Sequence, residues 1–210
     1  MHFNPQLSLL MALLSVCLNS LPTALAAKVN TVRVQVYFEP QDPESTRFFK
    51  SELLPLFQTG IGARIDLKLV PFGRASCDAG HQDYVCTCTR GADECELMHL
   101  MSCTLHDYRH HEDAVELIAC IQGQPSFNEA YNQCIKQLPD REASWLLECP
   151  HVFRGKYLSW FNGLKTKAMG VELPAVPTVA IDGEIDGQAA DSLRTRICER
   201  LEAPKPMECL

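Results

Sequence analysis

Eleven cysteines, the turn Asp42-Pro43-Glu44-Ser45 and a run of histidines are the residues of this chain whose types and spacing could do chemistry. Cys17 falls in an apolar stretch, Leu7 to Leu18, that reads as part of an export signal, and the ten that remain are an even number. In an exported chain this predicts disulfides rather than free thiols or zinc ligands. The ten are Cys77, Cys86, Cys88, Cys95, Cys103, Cys120, Cys134, Cys149, Cys198 and Cys209. They pair in about 945 ways, so spacing alone assigns no bond. Cys86-Thr87-Cys88 is a C-x-C, close enough to form a strained, easily reduced bond, and is a candidate redox pair. His99, His106 and His110 recur at helical spacing with His111 beside them, a pattern soft divalent metals favour. A helix break between Leu105 and Glu112 would take them off one face, so they read as solvated surface histidines, and we expect no metal and no cofactor. Ser45 lacks His and Asp partners in a recognisable motif and reads poorly as a hydrolytic nucleophile.

The elements that must position these residues alternate between extended and helical patterns. Val32 to Phe38 has β-branched and aromatic residues at alternating positions and predicts a strand. Asp42 is a good N-cap with Pro43 at the first helical position, and Phe48, Phe49, Leu53, Leu56 and Phe57 mark an apolar helical face. Ile65 to Val70 alternates again, which makes a βαβ unit with parallel strands. Phe72 to Val85 reads as a loop. Helix-compatible stretches follow at Asp93–Leu105, Glu112–Ile121, Ser126–Leu138 and Arg141–Leu147. A longer helix, about Phe153 to Met169, presents Tyr157, Trp160, Phe161 and Leu164 at i, i+3, i+4, i+7 spacing. Val176 to Ile181, Asp182-Gly183 and Glu184-Ile185 form a hairpin signal, and Gln188 to Leu201 is a final helix.

That order fits an α/β thioredoxin-like fold carrying a disulfide-rich helical insertion, here between about Cys77 and Cys149. In such folds the first strand-to-helix turn holds C-x-x-C, where the helix N-terminus makes the first thiol a thiolate. A proline before a later strand, usually cis, packs against it. Asp42-Pro43-Glu44-Ser45 takes the place of the turn and Val176-Pro177 that of the proline, so Pro177 is the cis-proline candidate. Neither sulfur is present.

The sequence also resembles the gamma-interferon-inducible lysosomal thiol reductases, the GILT family, whose signature is C-Q-H-G-x-x-E-C-x-x-N-x-x-x-x-C. Cys88, Gly91, Glu94, Cys95 and Cys103 match it, whereas Thr89, Arg90 and Met98 depart. Cys120, Cys134, Cys149, Cys198 and Cys209 stand where the family places cysteines, and Leu69-Val70-Pro71-Phe72-Gly73 resembles its L-V-P-Y-G. The resemblance implies reduction of protein disulfides by a C-x-x-C or C-x-x-S site, yet it places Asp42 at the attacking cysteine and Ser45 at the second position. A carboxylate cannot form the mixed disulfide that thiol–disulfide exchange requires. As an N-cap it contributes roughly 0.5–2 kcal/mol. We therefore expect no catalytic residue, only a degenerate site at Asp42, Pro43, Glu44 and Ser45. The expected function is binding of a protein or cell-surface partner; the alternative is an active oxidoreductase using Cys86 and Cys88. Cys77 and Cys86 lack a family counterpart, which implies that they bond to each other.

Ala24-Leu25-Ala26 offers a small-x-small cleavage pattern, so residues 1–26 read as a signal peptide and 27–210 as one domain. No later stretch is long and apolar enough to cross a bilayer. The net charge of −7 disfavours attraction to nucleic acid or anionic membranes. We expect a monomer. Asn30, Asn128, Asn132 and Asn162 all fall outside Asn-x-Ser/Thr, which predicts an unglycosylated, secreted, extracellular protein rather than a lysosomal one.

Overall fold

The computed structural model describes residues 30–108, 111–170 and 172–210. The segment read as a signal, 1–26, lies outside them. Among the described residues, four strands form the main sheet in the order β2-β1-β5-β6. Strand β1 (Val32–Phe38) pairs in parallel with β2 (Ile65–Pro71), with Val34 opposite Leu67 and Tyr37 opposite Val70. On its other side β1 runs antiparallel to β5 (Thr178–Ile181), and β6 (Glu184–Ile185) completes the sheet. The β5–β6 turn is Asp182-Gly183, with φ of 53° and 94°, a backbone that Asp-Gly enters at little cost.

Alternation along β1 gives the sheet two packed faces. Val32, Val34, Val36 and Phe38 are buried against Phe48, Phe49 and Leu53 of helix α1, residues 43–57. Tyr37 points the other way and packs with Val70, Phe72, Met98 and Val176. Helix α1 is Pro43–Phe48, a π-helical turn at Phe49–Leu53, and Leu54–Phe57. Pro55 has no N–H to donate one turn back, and the helix widens in the turn before it. The remaining helices are α2 (Ala92–Asp107), α3 (His111–Ile121), α4 (residues 127–135), α5 (Asp140–Glu148), α6 (Phe153–Lys167) and α7 (Ala189–Arg200). Disulfides hold them: Cys103–Cys149 joins α2 to the end of α5, Cys120–Cys134 joins α3 to α4, and Cys198–Cys209 joins α7 to the C-terminal segment.

The structure corrects two local expectations and decides which face of α6 is packed. The stretch 72–85, expected to be a loop, contributes a two-stranded hairpin, β3 (Ser76–Ala79) with β4 (Tyr84–Thr87). Its strands are short and mostly exposed, and they are held by the bond expected between Cys77 and Cys86, which lie opposite each other. The aromatic face of α6 is not its packed face, because Tyr157, Phe161 and Leu164 are 38%, 45% and 40% exposed. The helix packs instead through Gly155, Ser159, Asn162 and Gly163. A Cβ on Gly155 would lie 2.5 Å from the Cys149 carbonyl oxygen, and one on Gly163 would lie 2.6 Å from the Phe72 ring. Close approach through small residues leaves the large ones outside.

The second correction is His99, expected to be solvated but buried in α2 with its Nε2 unpartnered. Burial pushes its pKa down to about 4, and the charges of Lys156 and His151 act in the same direction. Asp83 and the Pro150 carbonyl act the opposite way and are outweighed. The fold therefore favours the neutral ring. Its contribution is complete above the ordinary value of 6.5 and lost as pH falls toward 4, by up to about 3 kcal/mol. Urea unfolding of the native chain and of His99→Asn at pH 7 and pH 4.5 checks this. The variant is expected to lose distinctly less stability on acidification than the native chain, and equal losses would contradict it.

Candidate functional site

The turn between β1 and α1 is built on Asp42. Its backbone is extended, and its Oδ2 accepts the Ser45 N–H at 2.7 Å, capping α1 one residue before Pro43. Oδ1 accepts from Nη2 of Arg90 at 2.8 Å. Ser45 is fully buried with its hydroxyl unpartnered, so no base activates it. Glu44 pairs with Arg47 at the surface. The Val176–Pro177 peptide is cis. Pro177 and Val176 border a hollow of about 380 Å³ that also touches Glu44, Arg47, Ile185 and Asp186.

Two further carboxylates, which the sequence did not single out as site residues, complete the arrangement. Glu39, at the end of β1, is buried and receives Nε and Nη2 of Arg74 at 3.0 and 3.2 Å. It also receives Nη1 of Arg90 at 2.8 Å and the Thr89 hydroxyl at 3.1 Å. Glu94 of α2 is buried and accepts the Arg90 N–H at 2.7 Å and its Nη1 at 3.2 Å. Burial alone would raise the Glu39 carboxyl, but the bonds from Arg74 and Arg90 outweigh it and hold the group below its ordinary range. Gly73, at φ 54°, is needed here, since a Cβ would stand 2.3 Å from the Glu39 side chain. Thr89 and Arg90, two of the three departures inside the signature, thus both bond Glu39, and Arg90 reaches Asp42 as well. That was the available signal for the cluster.

The cysteines are paired throughout the described chain. Cys88 bonds to Cys95, bracketing Arg90 and anchoring its loop to α2, while Cys86 bonds to Cys77. The Cys86/Cys88 redox pair is therefore split between two bridges. His99 is buried and His106 exposed, so they do not share an open face; His110 lies outside the described residues. Among the described residues, no group of three or more His, Cys, Asp or Glu is placed to hold a metal ion.

Comparison with known proteins bears on what this scaffold is. Residues 33–138 match the family described as gamma interferon inducible lysosomal thiol reductase (GILT). The chain belongs to the GILT family. A GILT-like protein of Caenorhabditis elegans is 30% identical over 189 residues, 90% of this chain and 58% of that protein. This GILT-family chain thus spans little more than half the length of that relative. The thiol reductase of Carassius auratus is 27% identical over 85% of this chain and 72% of its own length. The fold is thioredoxin-like: DsbA of Chlamydia trachomatis superimposes with a TM-score of 0.55 at 13% identity, covering 79% of this chain and 87% of that one. The GILT-family protein described here is related to thiol–disulfide oxidoreductases, with Asp42 at the strand-to-helix turn.

Arg90 bonds three carboxylates, two in the β1–α1 turn and one in α2, so its removal strands buried charge. Arg90→Met is expected to cost about 2–3 kcal/mol at pH 7, less than for a fully buried pair because the guanidinium is 31% exposed. Arg90→Lys should recover only part of it, since one ammonium cannot bridge three acceptors as a fork does. The part of the penalty that comes from Glu39, which Arg90 helps to hold ionised, should shrink in acid as that carboxyl protonates. Urea unfolding across pH measures all three outcomes.

Proposed function

We propose that this chain is a secreted GILT-family protein without thiol reductase activity that acts by binding a polypeptide partner. One observation carries the reading: the position at the head of α1 where exchange chemistry needs a sulfur holds Asp42, whose two oxygens are engaged by the Ser45 N–H and Arg90. Without a thiolate no mixed disulfide forms. The ten cysteines that could substitute are all in bridges. The hollow beside Pro177 supplies the binding surface, with an apolar floor of Val176, Pro177 and Val179 and a charged rim of Arg47 and Asp191. It suits an extended segment with an apolar side chain.

Five bridges fit an exported protein, extracellular or lysosomal. The neutral, buried His99 supports a compartment near neutral pH over an acidic one, and with it delivery outside the cell. The test of activity is insulin reduction with dithiothreitol or glutathione between pH 4.5 and 7, together with a thiol titration in denaturant. No turnover above the uncatalysed rate and no free thiol are expected; turnover would overturn the reading. For binding, reduced and alkylated insulin chains serve as the polypeptide probe. Ile185→Asp, on the exposed rim of the hollow, should weaken their binding about tenfold, and no change would reject this surface. Expressed in secretory cells, the protein should reach the medium at the bare polypeptide mass, with no shift after deglycosylation.

A further inference from the structure

Lys165 has no part in the site at Asp42, yet the fold holds it with care. Its ammonium donates to Oδ1 of Asn162 at 2.8 Å and lies 4.9 Å from the Phe161 ring centroid. Asn162 is 5% exposed, and its amide donates to Oγ of Ser102 at 3.0 Å. Ser102 in turn bonds the Ser159 hydroxyl at 3.1 Å and the Met98 carbonyl at 2.8 Å. Three buried polar side chains from α2 and α6 thus fix the position of one half-buried lysine. Burial lowers the Lys165 pKa, and the like charge of Lys68 on β2 lowers it further. Among the described residues neither ammonium has a carboxylate partner, and Glu184, which shares an adjoining hollow with both, bonds to neither. A fixed, partly desolvated ammonium with a second, exposed one near enough to act on it is an arrangement that binding an anion would relieve.

Both lysines border a groove of about 460 Å³ between β2, α2, α3 and α6, a volume typical of small-molecule sites. Its walls include Leu105, Val115, Leu158, Tyr157 and Phe161. We propose that this groove binds a small amphipathic anion, its carboxylate, sulfonate or phosphate head on Lys165 and Lys68 and its apolar body along the aliphatic and aromatic walls. The occupant is a soluble molecule rather than a bilayer, because the two lysines and the apolar walls line one groove rather than a convex face and the chain's net charge of −7 opposes an anionic membrane. The groove shares no lining residue with the hollow at Pro177, so the inference stands apart from the proposed polypeptide binding.

The probe is anilinonaphthalene sulfonate, titrated by fluorescence into the native full-length protein, with uncharged phenylnaphthylamine as its companion. The sulfonate should bind saturably at one equivalent and be displaced by decanoate. Lys165→Met should weaken it about tenfold and leave the uncharged dye unaffected. Lys68→Met, at an exposed position that places no demand on folding, should weaken it about threefold. Lys50→Met, remote from the groove, should change nothing. Near-ultraviolet circular dichroism checks that each variant is folded; if Lys165→Met is not, Lys68→Met decides. Sulfonate binding that is absent, indifferent to Lys68→Met, or no tighter than that of the uncharged dye would overturn the proposal. So would lysine-dependent sedimentation with phosphatidylglycerol vesicles in the absence of dye binding, which would assign the surface to a membrane.

Discussion

Compensation of buried carboxylates in a small volume is the constraint around which this molecule is arranged. Glu39, Asp42 and Glu94 come from the end of β1, the cap of α1 and the first turn of α2, and all three are buried. Carboxylates so placed persist only when cations and N–H groups surround them. Arg74 and Arg90 supply the cations, the Ser45 and Arg90 amides supply N–H groups, and Gly73 gives the Glu39 side chain room. The cluster thereby joins the β1–α1 turn to the segment after β2 and to the loop before α2. The Cys88–Cys95 bridge restrains that loop as it presents Arg90. Asp42 is consequently a structural anion with its acceptors used, a different physical object from a poised nucleophile.

A second constraint sets the outer surface. Helix α6 approaches the rest of the fold through glycine, serine and asparagine, so Phe153, Tyr157 and Phe161 stay outside while Trp160 packs partly against the core. Phe153 and Tyr157 stack at 6.2 Å, Tyr157 and Phe161 at 6.4 Å, and Tyr84 of the hairpin lies 5.1 Å from Trp160. The rings therefore shield one another partly and leave an apolar surface on a chain that is acidic as a whole. The same close packing buries Ser102, Ser159 and Asn162, whose hydrogen bonds must be met within the fold. They are met by one another and by Lys165, and this relay is what leaves a lysine fixed at a groove mouth.

Membership of the GILT family and the thioredoxin-like fold account for the scaffold, and the replacement at Asp42 accounts for the proposed change of role. A helix N-terminus stabilises whatever anion occupies it, thiolate or carboxylate. Replacing one by the other keeps the electrostatics of the turn while removing the chemistry. Arg90 adds a second partner for the carboxylate. The proposed shift from turnover to binding thus leaves the local fold intact.

The sequence alone determined what depends on near neighbours along the chain. Alternation in Val32–Phe38 and Ile65–Val70 specified the two parallel strands, Asp42-Pro43 the start of α1, and Asp182-Gly183 the last hairpin. The missing sulfurs at Asp42 and Ser45 needed no coordinates to be seen. What the sequence could not supply were relations between distant residues. Arg90 and Asp42 are 48 positions apart, and nothing local says that one guanidinium will serve three carboxylates. The Cys77–Cys86 bond was implied by the resemblance, but that it closes a two-stranded hairpin is seen only when the two residues face each other across it. His99 reads as one more polar residue in a helix until the Lys156 and His151 side of its surroundings closes over it. The aromatic stripe of α6 has the period of a buried face, and only the glycines on its other side decide which face goes in. Periodicity records which residues share a side of an element; burial depends on what arrives to cover that side, and that is fixed by tertiary packing.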